Sequence, residues 1–205
     1  MSLFCFLWIP LFYLFWHSIA GNNSAAGGIW AIVVGSVVAL IQFFLGYLVE
    51  PGGFGFSRWM SGCIDIVTLP ALAPLIVYFA LINFKIITGT ADFANFALLW
   101  LIPGAGISAV NWSSRHDPIL LVLVPILWTA IAVGIPFFIN LIVTSRKWVI
   151  VPASLAILII PFASASSYWA FFSQKTCQGF LFLLAAVTPM LVSMIMAFVQ
   201  AGESK

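Results

Sequence analysis

Charge is nearly missing from this chain. Of its 205 residues only 7 are Lys or Arg and 5 are Asp or Glu, a charged share of 6% where soluble domains carry about a quarter. So few charges cannot cover a water-facing surface, which excludes a soluble enzyme, a disordered chain and a nucleic-acid binder. The formal net charge of +2 points neither to a polybasic lipid-binding patch nor to an acidic substrate. Cysteine is scarce as well. Cys5, Cys63 and Cys177 are too few and too scattered for a disulfide scaffold or a Cys-x-x-Cys motif, and allow one bridge at most. Cys63 and Cys177 are the candidate pair, because the span order below puts both on the same side of a membrane.

Signatures of chemistry are absent too. The two histidines, His17 and His116, fall on opposite predicted sides, so they cannot share a metal. There is no His-Glu-x-x-His helix and no phosphate-binding loop, no Gly-x-Ser-x-Gly elbow, and no pair of carboxylates at mid-depth to act as acid and base. No enzyme, cofactor or metal is expected.

What is present is apolar sequence: 64% of residues are hydrophobic, with 20 Phe and 9 Trp. Cutting the chain at its polar and glycine-rich punctuation leaves seven apolar stretches, Leu3 to Ala20, Ile29 to Val49, Ile64 to Ile82, Phe93 to Val110, Ile119 to Val143, Trp148 to Phe172 and Gly179 to Val199. Each is close to the roughly 20 residues that a helix needs to cross a bilayer core of about 30 Å. The expected fold is therefore all-α, a polytopic bundle of seven transmembrane helices in one membrane domain with no soluble domain. The segments are continuously apolar rather than alternating, which favours helices over a barrel. Ser18 and Ala20 before Gly21 resemble a signal-peptide cleavage site, and six spans remain if the first is removed.

Lys and Arg in the short loops set the expected orientation. Arg146 and Lys147 form the one local cluster, which places the N-terminus outside and the C-terminus inside a cytoplasmic (inner) membrane. Trp30, Trp59, Trp112 and Trp148 fall at predicted span ends, where an indole keeps its ring in the headgroup region.

Small residues recur at helical spacing. Gly28, Ala31, Gly35, Ala39, Gln42 and Gly46 share one face of the second span, where close backbone approach replaces the missing hydrophobic drive for association in lipid. Weaker stripes are Ala94, Ala97, Gly104 and Ser108; Ala153, Ala156, Ala163 and Ser167; and Ala186, Pro189, Ser193 and Ala197. Proline lies inside every predicted span but the second, at Pro10, Pro70, Pro74, Pro103, Pro125, Pro136, Pro152, Pro161 and Pro189, and each removes one helical hydrogen bond. A faint internal repeat relates the runs around Pro10 and Pro125, and Val67, Thr68 and Pro70 to Val187, Thr188 and Pro189. It would suit three helices, a linker helix and three helices.

Two functions fit this pattern. The first is passage of a small neutral or zwitterionic solute along Gln42, Thr68, Tyr78, Thr129, Asn140 and Ser193, without proton coupling through a buried carboxylate. Its polar mouth would comprise Glu50, Arg58, Asp65, Arg115, His116, Asp117 and Lys175. The second is a non-catalytic subunit or scaffold of a membrane complex. The expected partners are the lipid bilayer and either a second copy or other membrane subunits, with no nucleic acid.

Overall fold

A computed structural model describes residues 2–20, 25–48, 67, 72–86, 93–114, 118–144 and 147–203. Among these the fold is all-α, with seven helices: α1 (Ser2–Ala20), α2 (Ala25–Leu48), α3 (Ala73–Asn83), α4 (Phe93–Ser114), α5 (Pro118–Thr144), α6 (Lys147–Phe172) and α7 (Thr176–Glu203). Six of them match the expected spans to within a few residues. The third expected span, 64–82, is described only in part: α3 covers it from Ala73, with Pro74 among the first residues of that helix, and of residues 64–72 all but Val67 and Leu72 lie outside the described residues.

The expectation of seven spans is met in part. Among the described residues three stretches are long and apolar enough to cross a membrane: Ile119–Ile142 in α5, Val149–Phe172 in α6 and Thr176–Met196 in α7. Four shorter apolar stretches lie in the other helices, Phe6–Ile19, Gly27–Ile41, Ala73–Asn83 and Phe93–Ile107.

Two helices end in the same way. Ile86 and Lys85 donate their backbone N–H groups to Leu81 and Ile82 (both 2.9 Å), while Lys175 and Gln174 donate to Ala170 (2.8 Å) and Phe171 (3.0 Å). This crossed pair of bonds satisfies the last carbonyls of a helix around one left-handed residue. Lys85 (φ 58°) and Gln174 (φ 59°) take that position, stopping α3 and turning α6 back into α7.

Packing is organised around α4 and α5. Helices α1, α2 and α3 each pack on α4, whereas α5, α6 and α7 pack on one another, and α1 lies against α4, α5 and α7. Residues Ala94 to Leu101 of α4 are all buried, as is most of α5 between Leu120 and Gly134. Ile9, Phe12 and Trp16 bury α1 in the same core.

On the two outer helices α6 and α7 small residues face the bundle and large apolar ones face away from it. On α7, Gly179, Ala186 and Ser193 are buried while Phe180, Leu181, Leu184, Leu191 and Ile195 are exposed. On α6, Ala153, Ala163 and Ser167 face in, and Val151, Leu155, Leu158 and Phe162 face out. Small residues inside let backbones approach, and large apolar residues outside suit lipid. The clearest case is α2 on α4, where a Cβ placed on Gly35 would lie 2.5 Å from the Trp100 carbonyl oxygen. Ala31 and Ala39 of the same stripe are buried beside it. The expected packing face is thus present from Gly28 to Ala39, while the burial of Gly46 and the Gln42 side chain lie outside the described residues.

Candidate functional site

Two polar contacts inside the bundle join helices, Trp8 to Thr129 and Ser167 to Gly179, and other hydroxyls bond within their own helix. Thr129 is fully buried in α5, one turn after Pro125. Its hydroxyl donates to the Ile126 carbonyl at 2.8 Å and accepts the Trp8 indole N–H from α1 at 3.3 Å. A threonine hydroxyl has a single proton, so none is left to offer a solute. Ser193 is also fully buried, and its hydroxyl donates to the Met190 carbonyl at 2.7 Å. Between α6 and α7, the buried Ser167 hydroxyl donates to the Gly179 carbonyl at 2.9 Å. Glycine permits this approach, because a Cβ there would meet the Phe171 ring at 2.8 Å.

Two of the other proposed pathway residues can be placed. Asn140, on the same side of the α5 helix as Thr129, is exposed. Tyr78 is half-buried in an aromatic cluster that joins α3 to α4, its ring 5.2 Å from Phe93 and 5.3 Å from Phe96. Gln42 belongs to α2, but its side chain lies outside the described residues, as does Thr68 altogether.

Of the expected polar mouth, Glu50, Arg58, Asp65, Arg115, His116 and Asp117 lie outside the described residues. Lys175 is exposed at the α6–α7 turn, its Nζ 4.9 Å from the centre of the Trp169 ring, within the range of about 6 Å for a cation–π contact. Cys177 follows it with an exposed, free thiol, and its proposed bridging partner Cys63 is outside the described residues.

Sequence reasoning passed over several buried polar groups. Asn95 and Ser164 are fully buried, and Ser166 nearly so. Ser164 lies between two contacts on the inner side of α6, since Ile160 packs on Gly134 of α5 and Ser167 bonds to Gly179 of α7. Its hydroxyl, like the Trp100 indole N–H, is buried without a hydrogen-bond partner. The alternation Ala-Ser-Ala-Ser-Ser from 163 to 167 was the available signal, a run too small and too polar to face lipid. Half-buried His17 stacks on Tyr13 at 5.6 Å in the last turns of α1. Among the described residues no three His, Cys, Asp or Glu side chains gather as a metal site would require.

Comparison with models of known protein families, with curated proteins and with solved structures gives no match.

Proposed function

We propose that this chain is an integral membrane protein acting as a non-catalytic subunit or scaffold of a membrane complex. In this reading all seven helices lie within the bilayer of a cytoplasmic membrane, with Arg146 and Lys147 on the inner side. The observation that supports it is that interior polar groups bond within the protein: Ser167 of α6 donates to the Gly179 carbonyl of α7 and Trp8 of α1 to Thr129 of α5, while the Thr129 and Ser193 hydroxyl protons go to carbonyls of their own helices. Bonds between helices and close packing hold bundles together in lipid. The large apolar residues on the outer sides of α6 and α7 then meet lipid or the helices of partner subunits.

A second reading, passage of a small neutral solute, is favoured by the construction of α5. This helix, the most enclosed of the three candidate spans, carries Pro125 and Pro136 with Gly134 between them. Proline at 136 supplies no N–H to the carbonyl of Ala132, the kind of break at which transporters bind a solute.

One experiment separates the two. Single cysteines replace Thr129 and Ser193 in a cysteine-free chain in sealed vesicles, with Ser57→Cys and Ser145→Cys as loop controls. A membrane-impermeant thiol reagent is expected to spare positions 129 and 193 while both loop controls react from opposite sides. Labelling of positions 129 and 193 would establish an aqueous route and overturn the scaffold reading.

A further inference from the structure

We draw no further inference here: the strongest candidate, the buried Ser164 hydroxyl at the junction of α5, α6 and α7, is a single unpartnered group beside a small-residue stripe, and nothing in the structure shows a ligand-sized space in front of it.

Discussion

Replacing Gly35 by alanine tests the central packing contact with one methyl group. The new Cβ would stand 2.5 Å from the Trp100 carbonyl oxygen, 3.1 Å from its Cα and 3.2 Å from its carbonyl carbon. All three obstacles are backbone atoms of α4, so no side-chain rotation relieves them. The two helices must separate by about an ångström, and that gap propagates along the contact because both backbones are stiff. Overpacking a tight interior costs roughly 1–3 kcal/mol, and the backbone obstacle places this case near the top of that range. Alanine regains about 1 kcal/mol of helix propensity over glycine, leaving a net loss of about 2 kcal/mol. Gly28→Ala in the same helix is the control. Its Cβ would meet only the Leu99 Cδ1 at 3.2 Å, the movable end of a flexible side chain, so its net effect is near zero. Thermal unfolding in detergent micelles reads the difference. Gly35→Ala is expected to melt lower by roughly 4–8 °C, and Gly28→Ala close to the parent. Equal melting of the two variants, or a greater loss for Gly28→Ala, would refute the close approach of α2 and α4.

Trp8→Phe and Thr129→Val each remove one partner of the bond between α1 and α5. A double-mutant cycle on stability in micelles should give a coupling of about 0.6 kcal/mol, up to about 1.7; strictly additive losses would show that the bond is not made. Ser164→Ala and Ser167→Ala should act with opposite signs. The first removes a buried hydroxyl that lacks a partner, relieving a desolvation cost of about 1–3 kcal/mol, so the melting temperature holds or rises. The second breaks the α6–α7 bond, so it falls. A fall in both would contradict the surroundings drawn for Ser164. Cys177 is exposed and free, so a Cys5→Ser, Cys63→Ser chain in micelles should react with a maleimide without denaturant. The parent chain should label at Cys177 before any reductant is added, and labelling there only after reduction would show that Cys177 is bridged.

Much of the fold was legible in the sequence because each helix declares itself locally. In lipid-like sequence a continuous apolar run of the right length leaves the backbone one economical solution, hydrogen bonding within the segment. Hence α5 and α6 begin and end within a residue of their expected limits. The stripe through Ala31, Gly35 and Ala39 likewise marked a packing face, since small residues at steps of four lie one above another. The third expected span, 64–82, is matched by α3 from Ala73 onward, and the rest of it, apart from Val67 and Leu72, lies outside the described residues.

The candidate site was less legible, and α5 shows why. Pro125, Thr129, Ala132, Pro136 and Asn140 share one side of that helix, and spacing alone makes them equivalent. In the structure the first three are buried, Pro136 is half-buried and Asn140 is exposed, because beyond Gly134 only one side of α5, carrying Phe138, stays enclosed among the described residues. Composition and periodicity, then, determined an apolar, all-α chain, the helix limits and the faces able to pack. Only the tertiary structure decided which face meets which helix, that α4 and α5 form the core, and that Trp8 of α1 is the partner of Thr129. Helix formation depends on residues a turn apart, whereas enclosure and side-chain pairing depend on residues far apart in the chain, here 121 positions for Trp8 and Thr129, which no local pattern encodes.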